Sequence, residues 1–168
     1  DRHAGPTLRA ADRLVVLNNT AYPARPPQLA LTVTAYQWWW KVSYDNENII
    51  TANEIHIPVG APVEIALRSG DVIHTFWVPQ LAGKTQAIPG LTNRQWIEAD
   101  KPGIYRGQCT EYCGVQHAHM ALEVVAQSPD DFNKWLAAQR QPALAGGQGA
   151  KLFMNNCAAC HAIRGTEA

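Results

Sequence analysis

GIYRGQCTEYCGVQHAHMALEVVA, residues 103–126, is the stretch that decides how this chain folds. Its two ends are short segments rich in β-branched and aromatic residues, a composition typical of β-strands. Between them, twelve positions hold two thiols, two imidazoles, a carboxylate and a thioether: Cys109, Glu111, Cys113, His117, His119 and Met120. Side chains of these types bind soft and borderline metal ions. We therefore predict a metal-binding loop carried between two strands.

The methionine favours copper as the metal. Zinc also binds Cys and His, but structural zinc sites rarely use a thioether, whereas copper accepts one readily. Another ligand should come from a separate strand, and the candidate is His74 in DVIHTFWVP, where apolar neighbours predict a buried strand end. A mononuclear blue-copper centre needs only one Cys. The C-x3-C pair of Cys109 and Cys113 could therefore bridge two copper ions, or it could form a disulfide in an oxidising compartment.

Working outward, residues 29–127 are a succession of β-type segments separated by Gly, Pro, Asn and Asp. The segments are LALTVTAYQWWWKVSY, EIHIPVG, PVEIALRSG, DVIHTFWV, TNRQWIEAD, GIYRGQC and MALEVVA. They predict an all-β domain, an antiparallel sandwich or barrel. Residues 1–28, with several prolines near their end, are predicted to be a linker. The domain has six basic and nine acidic side chains and the whole chain has 14 of each, so charge does not indicate nucleic-acid binding.

The C-terminal residues predict two further segments. Ser128, Pro129 and two aspartates are typical of a helix start, so residues 128–141 are predicted to form a short helix. Residues 142–168 begin with the flexible composition QPALAGGQG and lead into CAACH, the attachment signature of c-type haem, formed by Cys157, Cys160 and His161. No apolar run reaches the ~18 residues that a membrane helix needs.

Other histidines and the tryptophans are expected to have structural roles. His56 alternates with apolar residues and is predicted to face solvent from a strand. His119 should not be a ligand, because the side chain next to Met120 on an extended strand points to the opposite face. By the same alternation, either Trp39 packs inward and its neighbours Trp38 and Trp40 cover an edge, or the reverse.

Five stretches, YQWWW, DVIHTFWVP, GKTQAIPG, PGIYRGQC and CTEYCGVQHAHM, resemble subunit II of the haem-copper cytochrome c oxidases. The resemblance runs from about residue 29 to residue 125 and implies a cupredoxin-like Greek-key fold with a dinuclear copper centre, CuA. It implies that copper is bound by the side chains of His74, Cys109, Cys113, His117 and Met120 and by the backbone carbonyl of Glu111. The Glu111 carboxylate would face a magnesium ion shared with the catalytic subunit, and electrons would enter through Trp38.

The resemblance also implies a role and a location. The domain would pass electrons from a cytochrome c to oxidase subunit I, as a part of an enzyme with no substrate chemistry of its own. It would lie on the extracytoplasmic, periplasmic face of the plasma membrane, held by a membrane anchor expected before Asp1. The tail resembles the truncated start of a class I cytochrome c domain; residues 149–168 offer no distal ligand or pocket, so haem c is expected only in a longer chain.

Three alternatives are of other kinds. The CuA domain of nitrous-oxide reductase shares the copper loop, although GKTQAIPG is more similar to the oxidase subunit. A copper-delivery module would need fewer and more exposed ligands, and no aromatic patch. A quinol-oxidase subunit of the same fold would lack the thiols.

Overall fold

The computed structural model describes residues 23, 25–143, 146–159 and 161–163, so most of the predicted linker lies outside the described residues. This part of the chain contains ten strands and two α-helices. The strands are β1 (Leu29–Tyr36), β2 (Trp39–Tyr44), β3 (Ile49–Ala52), β4 (Glu54–Pro58), β5 (Val63–Ser69), β6 (His74–Trp77), β7 (Thr85–Ala87), β8 (Asn93–Ile97), β9 (Gly103–Cys109) and β10 (Ala121–Gln127). The helices are α1 (Pro129–Gln139) and α2 (Gly147–Asn156).

The strands form two five-stranded sheets. The first sheet has the order β3-β2-β1-β5-β8 and the second the order β4-β10-β9-β6-β7. The predicted all-β, cupredoxin-like fold is confirmed. It is not wholly antiparallel, however, because β1 pairs with β5 and β4 with β10 in parallel. The chain crosses from one sheet to the other after β3, β4, β5, β7 and β8, and these crossings place strands of the same direction side by side.

The inner faces of both sheets form the core. Along β1, Leu31 and Val33 are fully buried while their neighbours are only half-buried, as the two-residue period of a strand requires. From β2, Trp40 packs edge-on against Phe76 of the second sheet, with ring centroids 5.6 Å apart. The Tyr44 hydroxyl also crosses between the sheets, accepting a hydrogen bond from the His56 N–H at 2.7 Å. Each fully buried large apolar side chain stabilises the fold by about 1.5–3 kcal/mol.

The tryptophan-rich segment folds as a hairpin. Strands β1 and β2 pair antiparallel and are joined by Gln37 and Trp38. Of the two predicted arrangements, the structure has Trp40 in the core and Trp39 outside, 37% exposed and stacked on Tyr36. Trp38 lies in the turn between the two strands and is half-buried.

Several local predictions were wrong. Strand β6 begins only at His74, so Val72 and Ile73 are exposed at 38% and 42% instead of continuing a buried run. His56 is 7% exposed and does not face solvent, because its ring nitrogens bond to the Gln127 and Glu54 side chains at 2.8 and 2.6 Å. Strands β3 and β7 were not predicted.

The first helix confirms the predicted start. The Ser128 hydroxyl oxygen accepts the Asp131 N–H at 3.2 Å, which satisfies one free amide of the first turn. Phe132 and Leu136 are the buried side chains of this helix. Helix α2 is different, because none of its ten residues is buried. The chain divides into two compact units between Phe132 and Asn133. Within the described residues, no helix combines the length and the apolar character needed to span a bilayer.

Candidate metal centre

The loop between β9 and β10 folds back on itself. The Cys109 N–H donates to the Met120 carbonyl at 3.0 Å, so the first and last residues of the loop lie side by side. Between them, the His117 N–H donates to the Gly114 carbonyl at 3.0 Å and begins a single 3₁₀ turn, His117–His119. This turn corrects the expectation of an extended strand at His119, which is nevertheless exposed. The folded loop brings its two ends to one point.

Strand β6 brings His74 to the same point. His74 is completely buried, and β6 pairs with β9 so that Phe76 lies opposite Cys109. One further backbone hydrogen bond continues this pairing into the loop, from the Thr110 N–H to the Thr75 carbonyl at 3.1 Å. The ladder therefore sets the position of Cys109 relative to His74.

The potential ligand atoms form a compact chain of contacts with the two sulfurs at its centre. The Cys109 and Cys113 Sγ atoms are 3.9 Å apart. The His74 Nδ1 lies 3.9 Å from the Cys109 sulfur, and the His117 Nδ1 lies 3.5 Å from the Cys113 sulfur. The Met120 Sδ is 3.7 Å from the Cys113 sulfur. Each thiol thus has its own imidazole beside it.

These separations and this donor set fit a metal ion. Two ligands bound to one tetrahedral ion at about 2.0–2.3 Å lie roughly 3.3–3.8 Å apart, which is close to the observed spacing. The backbone carbonyl of Glu111 is a further donor, 3.3 Å from the Cys109 sulfur. The sulfurs are much farther apart than the roughly 2.05 Å of a disulfide, and both thiols are free. The donors are soft enough for copper, and no more than 3% of Cys109, Cys113 or Met120 is exposed.

The two thiols differ in acidity. Burial opposes ionisation of Cys109, but hydrogen bonds from His74 and from the Thr75 backbone outweigh it and lower the pKa of this thiol to about 6. Burial and the neighbouring negative charge of Cys109 raise the pKa of Cys113 to about 12. In the metal-free pair, Cys109 is therefore the thiol that ionises more readily, and its charge opposes ionisation of Cys113. A bound cation would replace the thiol protons, since thiolates are the metal-binding form.

Asp71 holds His74 from the side opposite to the sulfur. Its Oδ1 lies 2.8 Å from the His74 Nε2, and its Oδ2 accepts the Gln37 N–H at 2.6 Å. Burial opposes the charge of Asp71, but the hydrogen bonds from His74, Gln37 and Val72 lower the pKa of its carboxyl group. Burial also opposes protonation of His74, yet the hydrogen bonds to Cys109 and Asp71 raise the pKa of its imidazole. A carboxylate on Nε2 leaves Nδ1 as the nitrogen available to a metal ion.

The turn between β1 and β2 forms hydrogen bonds with the loop between β9 and β10. The Trp38 indole N–H donates to the Cys113 carbonyl at 3.0 Å, and the Gln37 side-chain amide donates to the same oxygen at 2.7 Å. Trp38 thus connects the protein surface to the backbone of a predicted ligand. On the exposed side of the loop, the Tyr112 ring contacts His117 edge-on, with centroids 5.8 Å apart.

Not every predicted site residue belongs to this cluster. The backbone carbonyl of Glu111 faces the Cys109 sulfur, as described above. Cys157 and His161 are exposed residues of the other unit, joined by a hydrogen bond from the His161 N–H to the Cys157 carbonyl at 2.9 Å. Cys160 lies outside the described residues.

Sequence reasoning missed Asp71, Gln37 and Tyr112. Asp71 stands three residues before His74, in the same DVIH stretch, and an acidic residue so near a candidate histidine is a signal that could have been used. Tyr112 could have been noted as an aromatic residue between the two cysteines. For Gln37, a polar residue in a predicted strand, the sequence carries no such signal, because its role depends on the hairpin turn.

The chain is similar to known proteins over the domain that contains this cluster. The family model for the periplasmic domain of cytochrome c oxidase subunit II matches residues 46–128. Cytochrome c oxidase subunit 2 of Alkalihalophilus pseudofirmus is 40% identical over 142 residues, which is 81% of this chain and 42% of that protein. The chain spans about half the length of the curated relatives it matches, between 42% and 55% for three of them.

Two solved structures share the fold. The periplasmic domain of subunit II of cytochrome oxidase from Bradyrhizobium japonicum is 30% identical, with a TM-score of 0.66, and the match covers 69% of this chain and 96% of that domain. The second is a mixed disulfide intermediate between a thioredoxin-like protein and subunit II of cytochrome c oxidase, 28% identical with a TM-score of 0.63. The match covers 70% of this chain and 94% of that chain.

Proposed function

Since the chain belongs to the family of cytochrome c oxidase subunit II, we propose that its β-sandwich domain, residues 29–127, carries electrons to a terminal oxidase through a dinuclear copper centre. The observation that carries this proposal is the pair of buried thiols with one imidazole Nδ1 beside each. Two sulfurs at the centre of a ligand set can bridge two ions, whereas a mononuclear blue-copper site uses only one.

Six residues would hold the two ions. The side chains are those of His74, Cys109, Cys113, His117 and Met120, and the sixth ligand is the carbonyl of Glu111. The copper pair, when bound, supplies one-electron redox chemistry. The chain's own contribution is to keep the ligands in place when the charge changes. Asp71 keeps the Nδ1 of His74 turned to the sulfur, and the backbone ladder of β6 and β9 holds Cys109. Burial of the sulfurs excludes water, so little solvent rearranges when an electron leaves.

Electrons would enter through Trp38 from a cytochrome c, either soluble or part of the same protein. Its indole lies one hydrogen bond from the Cys113 backbone, which is a short route from the surface to a ligand. Nine acidic against six basic side chains in the domain would favour the approach of a basic donor. Four large apolar side chains near the ligand segments are exposed and would pack against a partner: Val72, Ile73, Tyr112 and Val115.

The remaining partners follow from the family. We propose that the domain docks on oxidase subunit I, that the Glu111 carboxylate faces a magnesium ion at that interface, and that the domain works on the periplasmic side of the membrane behind an N-terminal anchor. Residues 128–141 would be a helix that ends the domain, and residues 142–168 a linker with the start of a cytochrome c domain. Cys157, Cys160 and His161 would bind haem c in a longer chain.

A thiol reductant is a further proposed partner. In a relative, subunit II forms a mixed disulfide with a thioredoxin-like protein. Cys109 and Cys113 need to be thiols before copper binds, so a partner of this class would reduce a disulfide between them while its own dithiol is oxidised.

Two other functions have less support. A copper-delivery module would need accessible ligands, and the cysteines and Met120 are at most 3% exposed. The copper domain of nitrous-oxide reductase would share the loop, but the relatives reported above are oxidase subunits.

The test is copper stoichiometry and spectrum after a matched set of cysteine substitutions. The protein with reduced thiols should bind two copper ions per chain and, in the mixed-valence state, show one unpaired electron shared by two copper nuclei in electron paramagnetic resonance. Cys109→Ser or Cys113→Ser should abolish that signal, because each thiolate would be a ligand of the copper pair. Cys157→Ser, the same change at an exposed thiol outside the cluster, should leave it intact. A shared-electron signal that persists in either loop mutant would exclude the dinuclear centre.

A further inference from the structure

The turn between β1 and β2 reaches both chain segments that carry ligands. The Gln37 backbone N–H donates to Asp71, which in turn bonds to His74. The Gln37 side-chain amide donates to the carbonyl of Cys113 at 2.7 Å. One residue is therefore linked to the histidine of β6 through its main chain. Its side chain links it to the loop between β9 and β10, residues 109–120, which we call the ligand loop.

From these contacts we propose that Gln37 is a positioning residue that sets the distance between His74 and Cys113. The proposal rests on the copper site proposed above. We call Gln37 and Trp38 together the β1–β2 clamp, because Trp38 supplies the second hydrogen bond to the same carbonyl oxygen.

The clamp restrains a part of the loop that the sheet does not reach. Pairing between β6 and β9 holds Cys109, and the last bond of that ladder is made by the Thr110 N–H. Cys113 lies three residues farther along. Two donors on the Cys113 carbonyl extend the restraint to this second thiol, which needs to stay within reach of both the other sulfur and His117.

The clamp also packs against the loop backbone directly. A Cβ atom placed on Gly114 would lie 3.0 Å from the Trp38 ring and 3.1 Å from the Gln37 amide nitrogen. A side chain there would push the clamp back by a few tenths of an ångström, and the φ of +119° is a conformation that residues other than glycine rarely adopt. Because no side chain lies between Gly114 and the clamp, Gln37 contacts the backbone next to Cys113 directly.

The two functions of Gln37 can be separated by mutation. Any residue except proline keeps the main-chain bond to Asp71, whereas the bond to Cys113 needs a side-chain donor of suitable length. Gln37 is exposed, so Gln37→Leu removes the donor without opening a cavity in the core. Gln116→Leu is the matched control, because Gln116 is also exposed and lies in the ligand loop next to His117.

The first measurement uses the metal-free protein. The carbonyl ¹³C resonance of Cys113 should move upfield in Gln37→Leu, because a hydrogen bond to that oxygen is lost, and should stay in place in Gln116→Leu. Trp38→Phe, which removes the other donor to the same oxygen, should shift the resonance in the same direction. If Gln37→Leu does not fold, Gln37→Met takes its place, because it keeps a side chain of similar length without a donor.

The second measurement is titration with copper ions. Gln37→Leu should bind copper about tenfold more weakly and with an altered hyperfine pattern, as substitutions around metal ligands commonly do. The control should match the parent. A parent protein that binds no copper would overturn the proposed function and with it this role. If the parent binds copper and Gln37→Leu binds it with the same affinity and the same hyperfine pattern, the positioning role alone is overturned.

Discussion

The ligand loop and the C-terminal tail contain similar residues in very different surroundings. Each has two cysteines and a histidine within a short stretch, C-x3-C followed by His117 in the loop and C-x-x-C-H in the tail. In the loop, no more than 3% of either cysteine is exposed. In the tail, Cys157 and His161 are exposed, and the helix before them has no buried residue. Residues of the same types are thus buried in the sandwich in the loop and exposed to solvent in the tail.

The difference shows what turns ligand residues into a site. In the loop, a strand, a turn and an acidic side chain each fix one ligand, so that the donor atoms lie 3.3–3.9 Å apart before any ion binds. Burial and hydrogen bonds also separate the thiol pKa values of Cys109 and Cys113. The energy needed to bring these groups together comes from the packed β-sandwich. The tail would have to obtain it from a bound group, since binding can supply folding energy.

The largest expected contrast is in stability. Phe76→Ala removes a fully buried ring that packs against Trp40 beneath the ligand cluster, and should lower the free energy of unfolding of the sandwich by about 3–5 kcal/mol. Phe153→Ala in α2 should change it by less than about 1 kcal/mol, because that ring is not part of a packed core. Urea unfolding followed by tryptophan fluorescence measures both. Equal losses would mean that the tail contributes to the stability of the sandwich.

A second contrast concerns the two regions' histidines. His74→Ala should weaken copper binding at least about 100-fold, because it removes a ligand that β6 and Asp71 already hold in place. His161→Ala should leave copper affinity unchanged. Competition with a copper chelator gives the two constants. A weaker copper affinity in His161→Ala would show that the tail contributes to the site.

The residues that the sequence predicted best are those whose role is local. The helix start at Ser128 and the alternating burial of β1 depend on neighbouring residues, so they could be inferred from composition and period. The candidate ligands were likewise chosen from their residue types and from the family resemblance. These features are present in short stretches of sequence, whatever the rest of the chain does.

What the sequence missed depends on residues that are distant in the chain. His56 is buried because Gln127 and Glu54 pair with it, and the parallel pairing of β4 with β10 that brings Gln127 there has no local signal. The role of Gln37 depends in the same way on a turn, an acidic residue before β6 and a carbonyl in the loop. The exposure of Val72 and Ile73 followed from the point where β6 begins, which apolar character alone does not indicate.

A smaller effect is expected on the rate of electron transfer, because the proposed route from the surface to the loop passes through Trp38 of the clamp. Trp38→Phe should slow electron uptake from reduced cytochrome c about tenfold, because the ring can no longer donate to the Cys113 carbonyl. The control is Trp39→Phe, which changes a ring stacked on Tyr36 outside the cluster. Stopped-flow measurement with copper-loaded protein compares them.

The copper spectrum decides how a slower rate is interpreted. If Trp38→Phe keeps the parent spectrum and is slow, the indole carries electrons. If its rate equals that of the parent, electrons enter elsewhere. If the spectrum is altered or lost, Trp38 acts mainly by holding Cys113 as part of the clamp.

The smallest expected effect is in the tail itself and concerns its helix. Helix α2 is ten residues long with no buried side chain, so its population depends on the intrinsic preference of its residues. Gly149 lies in the first turns with nothing within 4 Å of an added Cβ, and Gly149→Ala should stabilise the helix by about 0.5–1 kcal/mol. Gly147→Ala is the control, because its φ of +71° makes alanine unfavourable there. The Cα chemical shifts of Lys151 and Phe153 measure helix population. If Gly149→Ala left them unchanged, intrinsic preference would not limit α2, and a contact beyond the helix would have to hold it.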